Sequence, residues 1–175
     1  KTTMTRINSL LAFRFVLLVL LQVLVMNNIH FLGYLNPNLY LLFVFLYPLK
    51  EKNTTFLWVC FLLGLSIDFF SNSGGINAAA TVCIAYVRLK VLKVILNRKD
   101  LDLKLFQLRS ESLMSILLFV GTLTFLHHFI VFSLEYYSWK NADTILQKTW
   151  TTSVFTLFLC VLSIYLFGKK KTFNF

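Results

Sequence analysis

The stretch from Leu113 to Leu134 reads LMSILLFVGTLTFLHHFIVFSL, 22 residues without a single Asp, Glu, Lys or Arg. A helix of that length rises about 33 Å, enough to cross the roughly 30 Å hydrocarbon core of a bilayer. Inside it only His127 and His128 can change charge near neutral pH. The run from Thr149 to Gly168 is equally free of Asp, Glu, Lys and Arg. Two such segments in one short chain predict a protein dissolved in lipid.

The rest of the sequence agrees. Hydrophobic residues make up 58% of the 175, charged residues only 14%, and mean hydropathy is +0.74. An average soluble domain is about 25% charged. A water-soluble domain of this size has too much surface to hide so much apolar side chain. The expected fold is all-α: one domain over residues 1–175, a polytopic bundle of six transmembrane helices. The spans fall at residues 10–27, 36–49, 54–70, 77–96, 112–134 and 149–168, with a basic cytoplasmic loop at 97–111. The first run resembles a signal peptide, but Asn27, Asn28, Ile29 and His30 follow where small residues would mark cleavage, so it reads as an uncleaved span. The second is the weakest. Its apolar part, Leu39 to Leu49, lies between Pro37 and Pro48 and is too short for a full crossing as a helix, so a short shielded helix or a re-entrant segment is the alternative.

Orientation follows from the basic residues. With six spans and the N-terminus inside, 14 of the 17 Lys and Arg residues fall on the cytoplasmic side, two (Lys140 and Lys148) outside, and Arg14 within the first span. Positive residues concentrate on the cytoplasmic side of membrane proteins, so both termini are expected there, in a bacterial inner membrane. The net charge of +10 is thereby explained by anionic lipid rather than nucleic acid. Arg88, Lys90, Lys93, Arg98 and Lys99 are the expected contacts to lipid headgroups or to cytoplasmic proteins.

Few residues offer chemistry. Cys60, Cys83 and Cys160 sit singly in apolar runs and read as core residues. His127 and His128 are neighbours, about 100° apart on a helix, and cannot easily share one metal. No catalytic motif, phosphate loop or metal-ligand spacing occurs, so neither enzyme activity nor a metal or other cofactor is expected. Asp68 is the sharpest signal, because an ionised residue in a span costs about 2.5–3.5 kcal/mol on insertion scales. Gln22, Asn27, Asn28, Asn72, Asn77, His127 and His128 reach a similar depth and predict one polar cluster. Three roles are open for Asp68: holding the Ser71–Asn77 turn through backbone N–H groups, a partner or ligand site, and a proton relay. Gly74 and Gly75 shape that turn. Gly64, Ala78 and Ala79, with Ala80, Thr81, Ala85 and Gly121, permit close helix approach, within the chain or in a homodimer.

Two segments carry a family resemblance: QVLVMNNIHFLGYLNPNLYLLFVFLYPL from Gln22 to Leu49, and GLSIDFFSNSGGINAAATVCIAYVR from Gly64 to Arg88. Together they resemble MreD, the rod shape-determining membrane protein family, in its Bacteroidota form. The pattern is a span ending in an aspartate, a glycine-bearing turn, then small residues opening the next helix. Gly64, Asp68, Gly74, Gly75, Ala78 and Ala79 match it, whereas the last third of the chain matches only in hydrophobicity. The resemblance implies a non-enzymatic scaffold of the cell-elongation (rod) complex, beside an MreC-like membrane protein. Through it the scaffold would serve MreB, RodA and a class B penicillin-binding protein in lateral peptidoglycan synthesis. It also implies a six-helix fold like that of the substrate-binding subunits of energy-coupling-factor vitamin transporters. The competing expectation is such a subunit itself, with a polar pocket at the outer end of the bundle lined by residues such as Asp68 and His127.

Overall fold

A computed structural model describes residues 2–29, 36–49, 54–97, 108–137 and 142–167. All regular structure among them is helical. Helix α1 (Thr2–Leu21) runs through a π-helical stretch, Gln22–Met26, into the single turn α2 (Asn27–Ile29). Then come α3 (Leu41–Leu46), α4 (Thr54–Ser71), α5 (Ile76–Leu96), α6 (Leu113–Tyr136) and α7 (Ala142–Phe167). Four segments are long and apolar enough to cross a membrane: Ser9–Met26, Thr54–Ser71, Leu113–Tyr136 and Ala142–Leu166. At 21 residues α5 is as long, but its second half carries Arg88, Lys90 and Lys93.

The bundle exposes large apolar side chains and buries polar ones among its apolar core, an arrangement that a lipid solvent favours. Phe13, Trp58, Phe69, Trp150 and Phe158 are exposed, while Gln22, Thr81, His127, Thr149 and Thr156 have no exposure at all. Burial of apolar area cannot hold helices together in lipid, so close packing and internal hydrogen bonds must.

Helices α4 and α5 form a hairpin, as do α6 and α7, and α5 packs on α6. Close approach within the first hairpin centres on Gly64. A Cβ there would lie 2.5 Å from Ala78 Cα and 2.7 Å from Asn77 O, so only glycine fits without backbone movement. Gly121 has no such role: its nearest neighbour would be a Leu157 side-chain atom at 3.7 Å.

The second apolar run departs from a full helical span. Only Leu41–Leu46 is helical, about 9 Å of rise, and Leu39 through Phe45 are all buried by the surrounding helices. Pro48 is the cause at one end, since a residue before proline is pushed to extended backbone. Tyr47 obeys with φ −63° and ψ 139°. The segment runs alongside α5: Tyr40 reaches Asn77 and Thr81, and Arg88 reaches Val44 and Tyr47. It therefore descends from the end where α1 and α4 finish, marked by the 2.9 Å bond from Asn27 Nδ2 to Ser71 Oγ.

The last helix also differs from its expected 149–168 bounds. It begins at Ala142, because Asp143 in the first turn suits the positive end of the helix dipole and the intervening residues can all continue a helix.

Candidate functional site

Three side chains, Gln22, Arg88 and Thr156, complete the short segment's backbone. The carbonyls of Asn38, Leu39 and Tyr40 accept from the first N–H groups of α3, but the N–H groups of the same three residues turn to side chains, and unpaired peptide groups are expensive away from water. Gln22, fully buried on the π stretch of the first helix, supplies the missing partners. Its Oε1 accepts from Leu39 N at 2.8 Å and Tyr40 N at 3.4 Å, and its Nε2 donates to Pro37 O and Asn27 Oδ1, both at 3.0 Å. At the other end Arg88 donates to Val44 O and, at 2.9 Å, to Tyr47 O, with its guanidinium 4.5 Å from the Phe56 ring centroid.

This placement of Arg88 corrects the expectation of a lipid or cytoplasmic contact. It is 3% exposed and serves the carbonyl end of α3. The reason is positional: those carbonyls have no further helical turn to accept from, and a planar guanidinium satisfies two of them at once. Lys90 is exposed, with its ammonium 5.2 Å from the Tyr86 ring, and Lys93 is half-buried in the last turn of α5. Arg98 and Lys99 lie outside the described residues.

Asp68 is buried at the end of α4 and clamps the turn to α5. Its Oδ1 accepts from Ser73 Oγ at 2.5 Å, Asn77 N at 2.9 Å and Asn77 Nδ2 at 3.0 Å; its Oδ2 accepts from Ala78 N at 2.8 Å. Asn72, Gly74 and Gly75 all have positive φ (52°, 65° and 94°), which turns the chain tightly enough for one carboxylate to meet all these donors. Ala79 continues α5 conventionally, donating its N–H to Gly75 O, and its side chain is exposed.

Beside the clamp lies a buried polar column. Tyr40 Oη donates to Asn77 Oδ1 at 3.2 Å and lies 2.9 Å from His127 Nε2. His128 points elsewhere, with Nε2 3.1 Å from Thr156 Oγ1, which in turn accepts from Asn38 N. The two imidazoles meet edge to face at 5.4 Å rather than converging on a point. Among the described residues, Thr124 Oγ1, His127 Nδ1, Thr149 Oγ1 and Ser153 Oγ are buried without a hydrogen-bond partner. Sequence reading missed Tyr40 and the α7 stripe. The stripe had a signal: Thr149, Thr152, Ser153 and Thr156 recur at helical spacing, the pattern of a polar face. Tyr40 had none, being one aromatic in an apolar run.

Above the column, at the end of the bundle where α4 ends and α5 begins, a cleft of ≈ 810 Å³ opens between the π stretch with α2, residues 36–38, the α4–α5 turn, the end of α6 and the start of α7. Six asparagines line it: Asn27, Asn28, Asn36, Asn38, Asn72 and Asn77. Asn28 is partly used by its own helix, donating to Val23 O and Leu24 O. His128 lines the cleft, whereas Asp68 and His127 do not. So the expected cluster divides: Asp68 and Asn77 form the clamp, Gln22 holds the backbone of the short segment, His127 stands in the buried column, and Asn27, Asn28, Asn72 and His128 lie around the cleft. Comparison with family models, with curated proteins and with solved structures gave no match.

Proposed function

We propose that the chain is a non-enzymatic inner-membrane scaffold of the bacterial cell-elongation machinery, of MreD type, that binds an MreC-like partner. The observation that carries the reading is the unit built by Gly64, Asp68, the turn and Ala78. The residues on which the resemblance rests form one hydrogen-bonded, closely packed hairpin, with both Asp68 oxygens taken up internally. That use of the carboxylate favours architecture over chemistry. The reading includes six membrane crossings, the segment 36–49 descending with α3 as its short helical core, and both termini in the cytoplasm. The distribution of basic residues supports that orientation. MreB, RodA and a class B penicillin-binding protein would then be indirect partners, and anionic lipids would face Lys90 and Lys93.

Crosslinking in native membranes followed by identification of the captured proteins tests the proposal. The expected capture is a protein with one span and an extracytoplasmic domain; recovery of lipids and self-contacts alone would end the scaffold reading. The polar cleft favours a second reading, the substrate-binding subunit of a vitamin-type transporter, which predicts that a vitamin raises the melting temperature of the purified chain.

A further inference from the structure

The cleft has a chemical character of its own, and it stands whether the chain is a scaffold or a transport subunit. Its ≈ 810 Å³ falls within the roughly 300–1,000 Å³ of small-molecule sites. The carboxamides of Asn36, Asn38 and Asn72 have no hydrogen-bond partner among the described residues. Each offers one acceptor oxygen and two N–H donors. Among the described residues, one acidic and one basic side chain line the cleft, Glu135 and Lys148, so the described lining carries no net charge. Phe70 and Phe132 add aromatic surface, and His128, 1% exposed and stacked on Phe132, presents a buried polar wall.

We propose that this cleft binds an uncharged saccharide of one or two rings. A sugar ring carries hydroxyls, each both donor and acceptor, around its edge and apolar C–H groups on its faces. Free carboxamides match the first feature and phenylalanine faces the second. An extended peptide also offers amide groups, but it lacks the ring of hydroxyls around an apolar face that this combination of carboxamides and phenylalanines matches. The site lies at the α4–α5 turn, opposite the C-terminal end of α5, so under the proposed orientation it samples extracytoplasmic sugars.

The test uses the full chain in lipid nanodiscs, because maltoside detergents are themselves sugars. Ligand-observed NMR titrations with glucose, N-acetylglucosamine, cellobiose and chitobiose are compared with biotin, thiamine and trialanine. Saturable binding of at least one uncharged sugar is expected. Asn36→Ala combined with Asn38→Ala should weaken it at least tenfold while leaving the ligand-free melting temperature unchanged. Backbone bonds of Pro37, Asn38 and Leu39 survive that change. Should the double variant fail to fold, Asn72→Gly removes a carboxamide at a position where glycine accepts the positive φ, and the same loss is expected. No saturable sugar binding, binding only of a vitamin or the peptide, or equal sugar affinity in the variants would overturn the proposal.

Discussion

Replacing Asp68 by leucine removes an acceptor from four donors at once: Ser73 Oγ, Asn77 N, Asn77 Nδ2 and Ala78 N. The two side-chain donors are spared: Asn77 Nδ2 keeps its 3.1 Å bond to Ser73 Oγ, and the half-buried Ser73 hydroxyl can turn to solvent. The two backbone N–H groups at the start of α5 cannot. Each buried, unpaired group costs about 1–3 kcal/mol, so Asp68→Leu should destabilise by about 2–6 kcal/mol. That is a large share of the roughly 5–15 kcal/mol that holds a typical protein folded. Asp68→Asn behaves differently. Its amide oxygen can replace Oδ1 and keep three of the four bonds, but its NH₂ then faces Ala78 N–H, donor against donor. One lost bond predicts a loss of about 1–3 kcal/mol. Equilibrium unfolding in mixed detergent should therefore rank wild type above Asp68→Asn and Asp68→Asn above Asp68→Leu, with partner capture falling in the same order. Equal damage from both substitutions would refute acceptor counting. Wild-type stability of Asp68→Asn with function lost would refute the structural role and favour proton transfer.

Other perturbations separate the remaining elements. Gly64→Ala puts a methyl 2.5 Å from Ala78 Cα and should destabilise by about 1–3 kcal/mol, while Gly121→Ala should be neutral or slightly stabilising; thermal melting of the pair makes the comparison. Arg88→Lys leaves one ammonium to serve two carbonyls and should speed proteolysis around residues 44–49 without abolishing the fold. Cys83 is exposed and Cys60 and Cys160 are buried, so a membrane-permeable maleimide should label Cys83 first; mass spectrometry finding Cys60 labelled before it would mean that the packing around α4 is wrong. A periplasm-active reporter should work after Ser138 and be silent after Lys99, and the reverse would invert the proposed orientation.

What the sequence made legible was whatever its local pattern encodes. The long helices follow from apolar runs, because one residue after another repeats the same preference for lipid. The Asp68 clamp is local too: acceptor and donors fall within residues 68–78, so an aspartate beside a glycine turn is enough to raise it as one of three roles. Contacts between distant residues left no such trace. Arg88 looks like any basic residue near the end of a span that snorkels toward headgroups. Nothing near it shows that two orphan carbonyls wait 41 and 44 residues earlier. The cleft is the extreme case, since Asn36, Asn38 and Asn72 come from two separate parts of the chain and its two charges from two more.

Gln22 and Arg88 together account for a helix that is too short to stand alone. A six-residue helix leaves more peptide groups unpaired at its ends than it pairs within. In water those groups would be solvated; within a bundle surrounded by lipid they need protein partners. Gln22 serves the entry at Pro37, Leu39 and Tyr40, and Arg88 serves the exit at Val44 and Tyr47, so the segment is held at both ends by neighbours distant in sequence. The π-helical stretch at Gln22–Met26 fits the same logic, because such bulges in helices mark places where a side chain is re-aimed for a task. Between these anchors Tyr40 ties the segment to Asn77, hence to the Asp68 clamp, and to His127 on α6. A disturbance of the clamp is therefore felt by the short segment and by the cleft above it, and partner capture and sugar binding should fail together in Asp68→Leu but separately in the asparagine variants.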